Sequence, residues 1–243
     1  MNVVEEIYSR NPNRETFPYS RTRGPVSLIS ELVAHRSGRF PGIISEYKRK
    51  SPSGFTKKDG RTPEEYFSLI SATKVAAFSV LTEPDFFNGS YSDISAVQHF
   101  GRPILDKDFV SSEEMVDNAY NAGADAILLI LDFLETDRVY ALADYARSLG
   151  MESLIEFHDL KHSLSISPEK GIIFGYNRRN LKTLKMEPQE DQLQELLSES
   201  DISVVLESGI DSVYLNSHDV SMFSGMLIGS SILDGDPVFK MIK

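Results

Sequence analysis

Short apolar runs recur along the chain, separated by segments whose apolar residues follow helical spacing. The runs are rich in Ile, Leu and Val, which is typical of parallel strands that are covered by helices. Eight such runs predict strands, at 42–48, 76–83, 102–109, 126–131, 153–158, 172–177, 203–209 and 225–231.

The segments between the strands carry helix signals. Thr62 is a candidate N-cap, followed by Pro63 at the first helical position and Glu65 at the capping-box position, while Gly123 and Gly150 are placed to end helices. Clear helices are predicted at 62–74, 111–124, 135–150 and 187–200, weaker ones at 159–170 and 211–224, and two more before the first strand, near 2–9 and 25–36.

This alternation of strand and helix predicts a parallel α/β fold. The simplest solution is one domain, a closed (β/α)8 barrel over residues 41–243 preceded by an N-terminal helical extension over residues 1–40. The alternative is an open doubly wound sheet. That fold usually has a Gly-rich phosphate turn after its first strand, whereas this chain has SPSGF (51–55) there.

Composition narrows the function classes. The 243 residues include 25 basic and 36 acidic ones, giving a net charge of −11 and a pI near 5.0. An acidic surface repels nucleic acid and anionic membranes, so neither is an expected partner. Cysteine is absent, the longest apolar run is only 126–131, and the N-terminus lacks a signal-peptide core. We therefore expect a cytoplasmic protein without disulfides or thiolate chemistry.

Charged and amide side chains follow apolar residues on the inward face of the predicted strands. Lys107 in ILDKDF (104–109) is one example, because it shares a face with Leu105. A single charged residue at a strand end is usually a solvated rim residue, but several converging charges are costly to bury unless they are paired and used. The set comprises Glu46, Lys48, Lys107, Glu156, Asn177, Arg179 and Glu207.

Gly and Ser residues after three strands indicate a phosphate site. ESG (207–209) and IGSS (228–231) follow the last two strands, where barrels often bind phosphate on backbone N–H groups, and SPSG (51–54) follows the first. Such residues are also common in any strand-to-helix turn. The predicted phosphate contacts are Ser51, Ser208, Gly209, Gly229 and Ser230.

Two further motifs indicate a function less clearly. His158 and His162 in HDLKH have the i, i+4 spacing of a zinc helix, but no third ligand suggests itself, so no metal site is expected. Phe87 in PDFFNGSY could line an aromatic pocket or simply pack its loop.

Taken together, these stretches resemble the indole-3-glycerol phosphate synthases. The resemblance covers about 41–237 and rests on IISEYKRKSPSG, SVLTEPDFFNGS, ILDKDF, GADAILLI, LGMESLIEFHD, FGYNRRNLKT, ESGI and LIGSSIL. It implies a cofactor-free and metal-free enzyme of tryptophan biosynthesis. Such an enzyme closes the indole ring of 1-(2-carboxyphenylamino)-1-deoxyribulose 5-phosphate with loss of CO₂ and water, beneath an N-terminal extension that helps cover the substrate.

The resemblance also implies roles for individual residues. Lys107 matches the general acid for the ribulose carbonyl, and Lys48 the lysine that contacts the anthranilate carboxylate. Phe87 matches a wall for the anthranilate ring. The remaining matches are Glu46, Glu156 and Glu207 for acid–base chemistry, Asn177 and Arg179 for the substrate hydroxyls and carboxylate, and Ser51, Gly209, Gly229 and Ser230 for the phosphate site. Ser208, beside Gly209, is a further expected substrate-binding residue.

Two departures and two alternatives stay open at this point. Asp106 stands where the family more often has an apolar or basic residue, and Tyr176 replaces a smaller apolar one. The chain could instead be another phosphate-binding barrel enzyme, such as phosphoribosylanthranilate isomerase, although that enzyme would need a cysteine or comparable base. It could also be a catalytically silent barrel. The expected partners are a small phosphorylated substrate and other enzymes of the tryptophan pathway.

Overall fold

Eight parallel strands close into a barrel in chain order, with β1 pairing to both β2 and β8. A computed structural model describes residues 2–71, 73, 75–165, 167, 169–198 and 202–238. The predicted (β/α)8 barrel is confirmed, with all eight predicted strands present, and the open-sheet alternative is wrong. The strands are β1 Gly42–Tyr47, β2 Val75–Leu81, β3 Ile104–Lys107, β4 Ala126–Ile130, β5 Glu152–Phe157, β6 Ile172–Asn177, β7 Val204–Glu207 and β8 Gly225–Ile228.

Helices surround the barrel, and two of the described α-helices precede its first strand in the chain. The described α-helices are α1 Val3–Arg10, α2 Leu28–Ala34, α3 Pro63–Ile70, α4 Pro84–Phe87, α5 Tyr91–Val97, α6 Glu113–Ala122, α7 Thr136–Ser148, α8 Glu190–Ser198, α9 Ser212–Ser217 and α10 Ser230–Leu233. Short 3₁₀ helices occupy Asn11–Asn13, Gln98–Phe100 and Leu160–Ser165.

The helix predictions hold best where a cap is strong. Thr62 accepts a hydrogen bond from the Glu65 N–H and the Glu65 side chain accepts one from the Thr62 N–H, so α3 has the predicted capping box. Gly123 ends α6 with φ 103°. The sequence did not predict α4, α5 or α10. The weak helix predicted at 159–170 contains only a 3₁₀ helix, and residues 166 and 168 lie outside the described residues, as do 199 and 200 of the helix predicted at 187–200.

The N-terminal extension contacts both ends of the barrel. At the amino ends of the strands, Leu32 of α2 lies so close that a Cβ on Gly42 would come within 2.5 Å of the Leu32 carbonyl oxygen. At the carboxyl ends, Val4 and Ile7 of α1 are buried over the barrel interior. The extension therefore closes one end with α2 and lies over the other with α1.

Polar contacts fix the link between these two helices. The Asn11 amide donates to the Phe109 carbonyl at 2.7 Å, and the Arg14 guanidinium pairs with Asp108 at 2.9 Å, just beyond β3. Further along, Arg23 pairs with Asp125 at the start of β4. The link between α1 and α2 therefore runs along the side of the barrel, from the carboxyl ends of the strands to their amino ends.

The core has two layers, as expected of this fold. Inside the barrel, alternate strand residues such as Ile44, Leu105 and Leu154 pack against one another. Between the strands and the outer helices, aliphatic residues pack together with aromatic rings, of which Phe67 and Phe78 are stacked at a centroid distance of 4.0 Å. This alternation places every second residue of a strand inside the barrel, so the last inward residues of the strands meet at its mouth.

Candidate active site

A cavity that is open to solvent at its entrance occupies the carboxyl ends of the strands beneath α1. All of the site residues predicted from the sequence line it. They are Glu46, Lys48, Ser51, Phe87, Lys107, Glu156, Asn177, Arg179, Glu207, Ser208, Gly209, Gly229 and Ser230.

Lys107 lies between two carboxylates in this cavity. Its Nζ is 3.1 Å from Glu156 Oε2 and 3.2 Å from Glu207 Oε2. Burial alone would lower the pKa of Lys107, but Glu156, Glu207 and Glu46 outweigh burial and raise the pKa above its usual value. The ammonium therefore stays protonated while it faces the cavity.

Glu207 differs from its neighbours because half of its carboxyl group has no partner. Oε2 contacts Lys107, whereas Oε1 is buried and makes no hydrogen bond within the described residues. Burial raises the pKa of Glu207 to about 8 even though Lys107 opposes the shift, so the group carries a proton at neutral pH. Oε1 occupies the space that a side chain at Gly175 would need, since a Cβ there would lie 2.2 Å away.

A hydrogen-bonded row connects Glu156 to the turn after β7. The Asn177 Nδ2 group donates to Glu156 Oε1 at 2.8 Å, and the Ser208 hydroxyl donates to Asn177 Oδ1 at 2.7 Å. The Arg179 backbone N–H donates to the same Oδ1 at 2.9 Å. These contacts fix the orientation of the Asn177 amide and hold the Glu156 carboxylate toward Lys107.

Glu46 and Lys48 form a second ion pair on β1 and the turn that follows it. The Lys48 ammonium donates to Glu46 Oε1 at 2.5 Å. Burial would raise the pKa of Glu46, but Lys48 and Lys107 together hold it below its usual value, so the carboxylate remains ionised. Gly229 leaves room for this pair, because a Cβ there would lie 2.5 Å from Glu46 Oε1.

One side of the cavity is built from turns rather than charged side chains. Ser51 follows β1, Ser208 and Gly209 follow β7, and Gly229 and Ser230 follow β8. Ser208 and Gly209 both have left-handed backbone angles, with φ 69° and 64°. A left-handed serine is uncommon and is a feature of functional turns.

Apolar residues form the remaining wall. Phe87 lies 5.9 Å from Phe109, ring centre to ring centre. The family resemblance implies that the N-terminal extension helps cover the substrate, but the sequence did not indicate which of its residues would line the cavity. They are Val3, Val4 and Ile7 of α1. A helix with one apolar face does not reveal which surface it will cover.

The two acids beside Lys107 point away from the cavity, as their alternation predicts. Asp106 accepts a hydrogen bond from the Thr82 hydroxyl at 2.6 Å, and Asp108 pairs with Arg14. Burial and the neighbouring Asp108 raise the pKa of Asp106 well above its usual value. Asp106 is thus a buried residue outside the site.

The histidines do not form a metal centre. His158 Nδ1 lies 2.8 Å from the Asn177 carbonyl oxygen, and His162 lies 3.8 Å from Asp132. Within the part of the chain that the structure describes, no three His, Asp or Glu side chains are grouped to hold a metal ion.

Comparison with known proteins identifies relatives along nearly the whole chain. A family model described as indole-3-glycerol phosphate synthase matches residues 3–243. An indole-3-glycerol phosphate synthase from Picrophilus torridus is 44% identical over 99% of this chain and 97% of its own length. One from Thermoplasma volcanium is 40% identical over 98% of this chain and 97% of its own length.

Solved structures support the same architecture at low sequence identity. The 3-hexulose-6-phosphate synthase of Salmonella typhimurium has a TM-score of 0.59 at 13% identity, covering 81% of this chain and 92% of that one. The tryptophan synthase alpha chain of Legionella pneumophila also has a TM-score of 0.59, at 12% identity, covering 86% and 87%. At such identities the similarity shows the barrel fold alone.

Proposed function

The chain belongs to the indole-3-glycerol phosphate synthase family, and from this premise we propose how the residues at its barrel mouth divide the work of closing the indole ring. The enzyme is a carboxy-lyase of tryptophan biosynthesis that acts on a phosphorylated small molecule. Its substrate, 1-(2-carboxyphenylamino)-1-deoxyribulose 5-phosphate, loses CO₂ and water as the ring forms.

Lys107 is the general acid for ring closure. The aromatic carbon that bears the carboxylate attacks the ribulose ketone, and the ketone oxygen needs a proton as its negative charge develops. The observation that carries this assignment is the ammonium of Lys107, which contacts Glu156 and Glu207 at the cavity and is kept protonated chiefly by the charge of Glu156. Glu156 and Asn177 orient the ammonium, and the proton on Glu207 is available to the same network.

Lys48 and Glu46 serve the carboxylate end of the substrate. Lys48 offers a cation to the anthranilate carboxylate before CO₂ leaves, and Arg179 lies in the same cavity for the substrate carboxylate and hydroxyls. Loss of water then requires one acid and one base, which an adjacent ammonium and ionised carboxylate can supply. Phe87 and the apolar wall accommodate the aromatic ring.

The turns hold the phosphate. Ser51, Ser208, Gly209, Gly229 and Ser230 offer hydroxyl and backbone N–H donors, in the position where barrels commonly bind phosphate. Inorganic phosphate or sulfate should therefore inhibit competitively and occupy these turns in a crystal. An ordered anion elsewhere, with these turns empty, would contradict the assignment.

The charge network is the reason to prefer an active enzyme over a silent barrel. Burying Glu46, Glu156 and two lysines around one cavity costs several kcal/mol per ion unless the pairing is good, and a scaffold has no use for that cost. An isomerase is not favoured either, because the chain has no cysteine.

Cellular context belongs to the same proposal. A biosynthetic role and the absence of cysteine support a cytoplasmic location, with other enzymes of the tryptophan pathway as partners. The net charge of −11 supports a small-molecule partner rather than nucleic acid. Among the described residues, no helix has the length and apolarity needed to span a membrane.

Turnover by the purified chain tests the activity. The chain should convert the anilino-ribulose phosphate into a product with indole fluorescence, without added cofactor. Absence of indole fluorescence with a folded protein would support the silent barrel. Formation of the anilino-ribulose phosphate from phosphoribosylanthranilate would support the isomerase.

A further inference from the structure

Arg178 lies between two cavity residues, Asn177 and Arg179, but it does not line the cavity itself. Only 8% of the residue is exposed. Its guanidinium lies behind the turn that follows β7, where NH1 donates to the Ser208 carbonyl at 3.1 Å and to the Gly209 carbonyl at 3.0 Å. Arg178 therefore contacts the turn from the side opposite to the cavity.

Contacts with Glu190 and Tyr214 hold the Arg178 guanidinium on its other sides. Its Nε donates to Glu190 in the first turn of α8. Its central carbon lies 4.0 Å from the ring centre of Tyr214, and the Tyr214 hydroxyl donates to Glu190 at 3.3 Å. With an acid, an aromatic face and two carbonyls around it, the guanidinium has little freedom to turn.

This arrangement determines which way the turn presents its N–H groups. In a trans peptide the carbonyl and the following N–H point in opposite directions, and the described part of the chain contains no cis peptide. Because the carbonyls of Ser208 and Gly209 point at Arg178, the N–H groups of Gly209 and Ile210 point away from it. Neither N–H donates to an oxygen atom of the described residues, while Ser208, Gly209 and Ile210 all line the cavity.

We propose that Arg178 is a positioning residue for phosphate: by binding the Ser208 and Gly209 carbonyls, it holds two free N–H groups toward the substrate phosphate. The turn needs such support, because Ser208 has a left-handed φ of 69° that disfavours any residue with a side chain. This inference rests on the proposed phosphate site. It concerns the residue that shapes that site rather than one that touches the ligand.

Tyr176 extends the same support. Its hydroxyl accepts a hydrogen bond from the Gln189 N–H at 2.6 Å, directly before α8 begins. That contact fixes the start of α8 and with it Glu190, the acid that holds Arg178. The larger side chain at position 176, which departs from the family pattern, therefore has a structural role in fixing the start of α8.

The test compares Arg178→Met and Arg178→Lys with the wild-type chain. We would measure kcat, KM, the inhibition constant of inorganic phosphate and the thermal midpoint. Arg178→Met removes both donors to the turn, so KM and the phosphate inhibition constant should rise about tenfold, as expected for two misplaced hydrogen bonds. The turnover number should fall by less than about threefold, and Arg178→Lys, which can still reach one carbonyl, should lie between.

Arg39→Met is a matched control. Arg39 also donates to two backbone carbonyls, those of Leu215 and His218, at 2.6 and 3.1 Å, but it does not line the cavity or contact the turn after β7. Its replacement should lower the thermal midpoint without changing the phosphate inhibition constant.

Two results would contradict different claims. If phosphate inhibits the wild type competitively and equally well inhibits both Arg178 variants, Arg178 has only a structural role. If phosphate does not compete in the wild type at all, the phosphate site itself is wrong, and the proposal for Arg178 falls with it.

Discussion

Buried carboxylates lie at both ends of the barrel, but their surroundings are opposite. At the amino end, Asp125 accepts hydrogen bonds on both oxygens, from Arg21, from Arg23 and from the backbone N–H groups of Val26 and Ile104. At the carboxyl end, Glu207 contacts one lysine through Oε2, and its Oε1 has no partner in the described residues.

The difference separates a charge that holds the fold together from a charge that is kept for a ligand. Each unsatisfied buried polar group costs about 1–3 kcal/mol, and at the amino end both oxygens of Asp125 have partners. At the barrel mouth, by contrast, Glu207 has one oxygen without a partner in the described residues, and its pKa is raised to about 8. Such an incomplete arrangement is acceptable where a substrate will supply the missing contacts.

The N-terminal extension follows the same division. At the amino end it supplies Arg21 and Arg23 to Asp125, and α2 packs closely below the strands. At the mouth it contributes the apolar residues Val3, Val4 and Ile7 of α1 to the cavity wall. One segment therefore seals one end and leaves space at the other.

Lys107→Met should produce the largest change in activity. Removing a positioned general acid typically costs about 10² to 10⁴ in rate, and the loss should fall on kcat rather than KM, because the proton is needed in the transition state. Steady-state kinetics would measure it. Near-normal turnover would show that the ammonium at the mouth is not the acid.

Asp125→Asn should lower stability and leave activity unchanged, the reverse of what is expected for Lys107→Met. Two arginines would lose their carboxylate, and breaking a buried ion pair from one side typically costs about 3–5 kcal/mol. Denaturant unfolding should show that loss, while kcat and KM of the folded protein stay near wild type. A selective fall in kcat at unchanged stability would remove the contrast between the two ends.

Glu207→Gln should change the pH dependence. The folded protein holds a proton on Glu207 up to about pH 8, whereas the unfolded chain releases it near the ordinary value of 4.5. This pKa difference should therefore lower the unfolding free energy of the wild type as the pH rises from about 4.5 to 8, with a slope of at most about 1.4 kcal/mol per pH unit. The variant should lack that contribution.

Glu152→Gln is the matched control for this measurement. Glu152 lies at the amino end and accepts hydrogen bonds from the Ser27 hydroxyl at 2.6 Å and the Ile29 N–H at 2.9 Å. Its replacement should lower stability but leave the contribution between pH 4.5 and 8 in place. Equal pH profiles for the wild type and Glu207→Gln would mean that Glu207 is ionised at neutral pH.

Chelation should have the smallest effect. The proposed chemistry uses only protons and charged side chains, so dialysis against a chelator should leave turnover unchanged. A large loss that a divalent ion restores would show that the mouth needs a metal as well as its lysines.

The sequence predicted the strands and the inward residues because both follow simple rules. Buried parallel strands appear as apolar runs, and a period of two places Lys107 and Glu156 inside the barrel. Short helices were harder to predict. Helix α5 has Ile94 and Val97 as its buried aliphatic residues, in a short segment that also contains Ser92, Asp93 and Ser95.

Features that depend on distant contacts could not be predicted. Whether Glu207 or Glu156 lacks a partner is decided by Asn177 on another strand. The contact of Arg178 with the turn after β7 likewise needs the barrel to bring β6 and β7 together. Sequence spacing gives the face of a strand but not the neighbours across it.

Lys107 is proposed to deliver its proton to the ketone oxygen, and the sharpest test is a crystal structure with a substrate analogue whose ketone is reduced to an alcohol. We expect the alcohol oxygen about 2.6–3.2 Å from Lys107 Nζ, with the analogue's phosphate on the turns after β7 and β8. An alcohol oxygen bound to Lys48 instead, with Lys107 still contacting only Glu156 and Glu207, would contradict it.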